Sequence, residues 1–142
     1  MNNTPIYVLA PLVGWLSAHL VKFILALVAS DGKNRDWRIF YRAGGMPSSH
    51  TAVMVATLTV IGARQGLDSA VFGLGTAVAA IIIYDALNVR RSVGEQADLL
   101  RKVASRENQS AKFYVAYGHT LPEVIIGAII GLSVGIVLLQ IL

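Results

Sequence analysis

Apolar residues fall into four blocks along the chain, separated by polar stretches that hold most of the Arg and Lys residues. Residues 5–29, interrupted mainly by His19 and Lys22, predict a first membrane span. A second block runs from about Pro47 to Ile61 and is short for a full crossing, which takes about 20 residues. The connection "GARQGLD" leads to a third block at roughly 69–88, a long polar stretch covers 90–118, and the last block runs from near His119 to Leu142.

Composition supports the same picture. Of 142 residues 55% are hydrophobic and 14% charged, against about 25% charged in ordinary soluble domains. The chain therefore reads as an integral membrane protein: an all-α bundle of about four spans with a cytoplasmic amphipathic segment, one domain over residues 1–142. The absence of cysteine excludes disulfides and thiolate metal sites. The N-terminal apolar run has no basic segment before it and is too long for a signal-peptide core, so it reads as a retained span.

The position of the charges says more than their net of +4. Lys33, Arg35, Arg38 and Arg42 lie in loop 31–46, and Arg90, Arg91, Arg101, Lys102, Arg106 and Lys112 in stretch 90–118; the loop between them holds only Arg64. Basic loops stay in the cytoplasm, so both termini are expected outside, and the starts of the second and last spans on the cytoplasmic face. Within 90–118, Val93, Ala97, Leu100 and Ala104 recur at helical spacing beside Arg101, Lys102 and Arg106. That pattern predicts either an amphipathic helix on an anionic membrane surface or a solvated linker helix. Gly127, Gly131 and Gly135 form two overlapping GxxxG steps, suited to close helix packing inside the chain or in a homodimer.

Three clusters carry candidate chemistry. The first is "GGMPSSHTA", at the start of the second span. A helix N-terminus presents unpaired N–H groups and partial positive charge to an anion. Gly45 permits an open loop, Pro47 suits a first helical turn, and Ser48 and Ser49 can cap the helix or donate to phosphate oxygens. His50 follows within one turn, placed to exchange a proton. An N-capped helix start would explain the serines but not the histidine.

The second cluster, "GHTLPEV", sets His119 and Glu123 four residues apart on one helix face. A carboxylate there can accept the Nδ1–H and leave Nε2 free as a nucleophile; a headgroup-level surface pair is the plainer alternative. The third, "YDALNVRRSVGEQA", puts Asp85 near the end of the third span with Arg90 and Arg91 beyond it. Paired arginines suit phosphate oxygens, with Asp85 either their structural counter-ion or an aid in holding a cationic partner; membrane anchoring would account for the arginines but not for Asp85. Lys22 either snorkels to the interface or points inward to a bound phosphate.

Together "GGMPSSHTA", "DALNVRRSVGEQA" and "GHTLPEV" resemble a small divergent branch of the type 2 phosphatidic acid phosphatase superfamily, which includes vanadium haloperoxidases. The likeness runs from Lys22 to Gly127. It implies a phosphatase-like membrane domain with a phosphomonoesterase site that needs no metal or cofactor. On that resemblance His119 forms a phosphohistidine, Glu123 orients it, and His50 protonates the leaving alkoxide and then activates water. Ser48, Ser49 and nearby amides would cradle the phosphate. The superfamily's usual phosphate-binding arginines are replaced here by Met46, before Pro47, and by Phe113, six residues before His119. Arg90 and Arg91 are the expected substitutes, with Lys22 in place of the first-motif lysine and Arg42 and Lys112 as weaker alternatives.

The expected activity is therefore a vanadate-sensitive hydrolase of lipid metabolism. Phosphatidylglycerol phosphate, phosphatidic acid and polyprenyl phosphates or diphosphates all fit as substrates, the first preferred. The alternative is a non-catalytic binder or transporter component for phosphorylated lipids. The expected partners are this substrate and the bilayer, with no nucleic acid.

Overall fold

The computed structural model describes residues 5–29, 45–106, 115 and 117–142. The loop residues Arg42 and Lys112, and the remainder of loop 31–46 before Gly45, lie outside them. All regular structure among the described residues is helical: α1 (Ile6–Ala29), α2 (Ser49–Gln65), α3 (Ala70–Tyr84), one π-helical turn (Asp85–Val89), α4 (Arg90–Arg106) and α5 (Leu121–Ile141). Among the described residues three helical stretches are long and apolar enough to cross a membrane: Ile6–Val28, Ala70–Arg106 and Leu121–Ile141.

The shorter α2 is the exception, and its packing explains why. It touches α1, α3 and α5, and it buries Thr51, Ala52, Ala56, Val60 and Ile61. A helix enclosed by protein needs small side chains for close approach more than it needs bulky ones for lipid. Its hydroxyls are satisfied locally: Thr57 and Thr59 donate to the carbonyls of Val53 and Val55 at 2.8 and 2.7 Å, so neither leaves a polar group bare in an apolar setting.

The glycine stripe of α5 is used inside the chain, against α2. A Cβ on Gly127 would fall on the Ser48 carbonyl oxygen, one on Gly131 on the Ala52 carbonyl oxygen, and one on Gly135 would lie 2.6 Å from Thr59 Cβ. Both helices advance together through these contacts, so α2 and α5 run parallel and start at the same end. From the other side, a Cβ on Gly14 of α1 would lie 3.0 Å from the Ala52 carbonyl oxygen. At the far end Ile6 and Ala10 of α1 and Val60 of α2 form a buried cluster against Leu138, Leu139 and Leu142, which makes α1 antiparallel to both.

Two boundaries differ from those the sequence predicts. α2 continues one turn past Ile61, because the stop is Gly66: its φ of 90° places it past the helix end, where its N–H closes on the Gly62 carbonyl at 3.1 Å. Downstream, the third span does not end at residue 88. The π-turn hands it straight to α4, giving 37 continuous helical residues. The 90–106 segment has no proline and is rich in Ala, Leu, Arg, Gln and Glu, good helix formers that carry the helix onward.

Glycine packing of this kind predicts a sharp contrast. Gly131→Leu should cost about 1–3 kcal/mol or more by overpacking, read as a lower melting temperature of the purified protein in detergent. Gly73→Ala, where a Cβ meets nothing within 4 Å, should leave the melting temperature unchanged or raise it.

Candidate functional site

Parallel packing of α2 and α5 brings two helix N-termini to one place. The Ser48 N–H donates to the Glu123 carbonyl at 3.0 Å, so the two starts are joined directly. The end of the third span closes the group from a second side, because the His119 N–H donates to the Ala86 carbonyl at 2.9 Å.

His119 is the most enclosed of the candidate reactive groups, 5% exposed. Its Nδ1 lies 2.9 Å from Glu123 Oε2, and the same oxygen accepts the Thr120 N–H at 3.1 Å. A carboxylate taking two such bonds is an acceptor, so the imidazole hydrogen belongs on Nδ1 and Nε2 keeps its lone pair. Thr120 and Glu123 also form a capping box that starts α5, with Pro122 in the first turn. Glu123 thus starts the helix and orients the histidine at once.

Ser48 takes a structural position. It is wholly buried, and its hydroxyl accepts the Thr51 N–H at 3.4 Å and the Thr51 hydroxyl at 3.0 Å, as N-cap of α2. Ser49 is only half-buried and opens the helix. The first intrahelical bond to the start of α2 comes from the Ala52 N–H to the Ser48 carbonyl, so the Ser49 and His50 amides belong to the unpaired first turn that suits an anion. Gly45, at φ 81°, is exposed just before it.

His50 is exposed on the first turn of α2. His50 couples electrostatically to Arg90, His119, Lys22 and Asp85, and Lys22 to Glu123. Residues from α1, α2, the π-turn, α4 and α5 therefore share one electrostatic cluster. Arg90 Nε lies 2.5 Å from Asp85 Oδ2. In a regular α-helix, side chains five residues apart point about 140° away from each other. The π-turn removes that separation, and the Arg90 N–H bonds to the Asp85 carbonyl. Asp85 is thus the counter-ion of Arg90. Arg91 instead reaches Glu95 along α4 at 3.3 Å, so its guanidinium is turned along the helix.

Sequence reasoning missed the seat of the histidine. Gly118 lies so close to the Ala86 carbonyl oxygen and the Arg91 nitrogen that a Cβ would overlap both. Tyr117 packs over Gly94, where a Cβ would lie 2.8 Å from its ring. The Tyr117 hydroxyl donates to Asp98 Oδ1 at 2.8 Å and accepts from Arg101 Nη1. Residues 117–119 are therefore laid along the π-turn and α4. Gly94 and Gly118 were the visible signals, since a helical glycine and one before a candidate site histidine both suggest close approach.

A family model described as the divergent PAP2 family matches residues 1–134. The chain is also 30% identical, over 154 aligned residues that cover 97% of it and 95% of the relative, to the uncharacterized membrane protein YuiD of Bacillus subtilis (strain 168). No solved structure matches.

Removing the Tyr117 hydroxyl isolates the clamp on His119. Tyr117→Phe should weaken local closure by about 1 kcal/mol, and so speed amide exchange in α4 and at His119 roughly fivefold. Exchange within the α2–α5 contact should stay unchanged, as hydrogen–deuterium exchange by mass spectrometry can read.

Proposed function

The chain belongs to the divergent PAP2 family, and from that premise we propose that it is a membrane lipid-phosphate phosphatase working through a phosphohistidine. The observation that carries this reading is the buried His119 held through Nδ1 by Glu123, beside the paired N-termini of α2 and α5. Membership makes the chain a phosphatase-related membrane protein; the geometry supports the finer step.

In the proposed reaction Nε2 of His119 attacks phosphorus and the bond from phosphorus to the lipid oxygen breaks. His50 gives its proton to that oxygen. His50 then takes a proton from water, whose oxygen attacks the phosphohistidine, breaks the N–P bond and releases phosphate. Glu123 supports the positive charge that grows on His119. The Ser49 and His50 amides, Arg90 and Lys22 hold the phosphate oxygens, with Gly45 leaving the approach open and Asp85 aiming Arg90. Arg91 serves the same charge field from α4, and Ser48 acts by capping the helix whose amides do the holding.

The site lies at the end of the bundle where both basic segments attach, so the lipid phosphate enters from the cytoplasmic leaflet. Phosphatidylglycerol phosphate is the preferred substrate, ahead of phosphatidic acid and polyprenyl phosphates. A metal ion has no part in this scheme.

Phosphate release from a panel of detergent-solubilised lipid phosphates is the test. The wild type should release phosphate and be inhibited by vanadate, which mimics five-coordinate phosphorus. His119→Ala should lose all release while remaining folded, and Glu123→Gln should lose about 10²–10⁴-fold. Substantial turnover by folded His119→Ala would sink the nucleophile assignment. Binding of lipid phosphates by the wild type with no release would establish the carrier reading instead.

A further inference from the structure

α4 carries a surface that hydrolysis does not use. Its Gly94, Asp98 and Arg101 side is taken by Tyr117, and Ala97 beside it is buried. The sequence spacing alone groups Ala97 with Val93 and Leu100, but the structure turns Ala97 inward. Val93, Leu99, Leu100 and Val103 remain 46–63% exposed, and spacings of three, four and seven put them on one face of the helix. Lys102 and Arg106, one turn apart, lie to the side of that face, and α4 has five basic and two acidic side chains, a net of +3.

We propose that this face of α4 docks onto an anionic lipid surface at the edge of the bilayer. Position argues for it first. The Ala70–Arg106 helix has 37 residues, about 55 Å at 1.5 Å per residue, whereas the hydrocarbon core is about 30 Å thick. α4 therefore leaves the core at headgroup level, and it does so through a π-turn, a place where helices bend. Chemistry argues second. An exposed apolar stripe beside basic side chains matches a headgroup layer, with side chains sinking into the acyl boundary and cations meeting phosphate. A second copy of α4 on this face would bring two basic segments together, so lipid is the better complement. The inference is independent of the hydrolytic reading.

The chain has no cysteine, so Leu100→Cys and Lys102→Cys each create a single labelling site. The full-length protein, carrying a nitroxide at either site, is placed in nanodiscs of phosphatidylcholine alone or with phosphatidylglycerol. Paramagnetic accessibility to oxygen and to a water-soluble nickel chelate is then compared.

The label at residue 100 should gain oxygen accessibility and lose nickel accessibility in the anionic discs, while the label at 102 stays open to nickel. Neutralising both Lys102 and Arg106 to Gln in the Leu100→Cys background should weaken docking roughly thirtyfold, at about a factor of five per basic side chain near the surface. A label at 100 that is equally open to nickel in both lipids overturns the proposal. So does one shielded from both reagents with spin–spin broadening, which would mean a second copy covers the face. Phosphate release measured on the same samples separates failure of docking from failure of the hydrolytic reading.

Discussion

Everything at the site end of the bundle depends on how closely α2 and α5 approach. Three glycines, at 127, 131 and 135, let the backbone of α5 rest on the carbonyls and small side chains of α2. In a membrane, where lipid is as apolar as any side chain, such contact is what holds helices together. Because the two helices are parallel, the same contact superposes their N-termini. His50 starts one helix and His119 lies just before the other, so the packing that stabilises the bundle also brings both histidines into one electrostatic cluster. A single larger side chain at Gly127 would push α5 off the Ser48 carbonyl and move His119 with it.

The legible and illegible parts of the molecule divide by the range of the interactions involved. Apolar blocks and basic loops located the helices, because membrane insertion is decided segment by segment. The His119–Glu123 contact was legible as a pair but not by the expected route. His119 lies outside α5, ahead of its N-cap Thr120, and Glu123 meets it by reaching back over the helix start in the capping box rather than along one helix face. Ser48 shows where local chemistry admits two answers: a serine before a helix can cap or bind, and its complete burial makes it a cap. The π-turn could not be read, since one extra residue in a helical turn leaves no periodic trace over five residues. In a regular helix Asp85 and Arg90 would lie on different faces. The Tyr117 clamp was hidden for another reason. It joins residues 16 and 19 positions apart, a choice made by tertiary packing.

The π-turn also links the two halves of the chain's function as we propose it. On one side it offers the Ala86 carbonyl to the His119 N–H, and on the other it aims Arg90. Such turns are rare and concentrate at functional sites. Here the extra residue does something a regular helix cannot: it brings Arg90 to Asp85 across five residues, while Arg91 makes an ordinary four-residue pair with Glu95 along α4.

The two acid–base contacts at the site differ in kind, and the difference suits a phosphate ligand. The His119–Glu123 pair is mostly buried, at 6% and 17% side-chain exposure, while the Arg90–Asp85 pair stands at 42% and 35%. A buried and doubly bonded carboxylate has few alternatives, so the histidine it holds is fixed before any ligand arrives. A half-exposed ion pair is worth roughly 0–1 kcal/mol, so its guanidinium can be shared with an incoming anion at little loss. In the proposed reaction, preorganisation is worth most at the atom that would attack along one line. The cation, by contrast, must follow oxygens whose charge shifts as bonds form and break. A rigid histidine beside a yielding arginine meets both demands with one π-turn and one shared pair of helix ends.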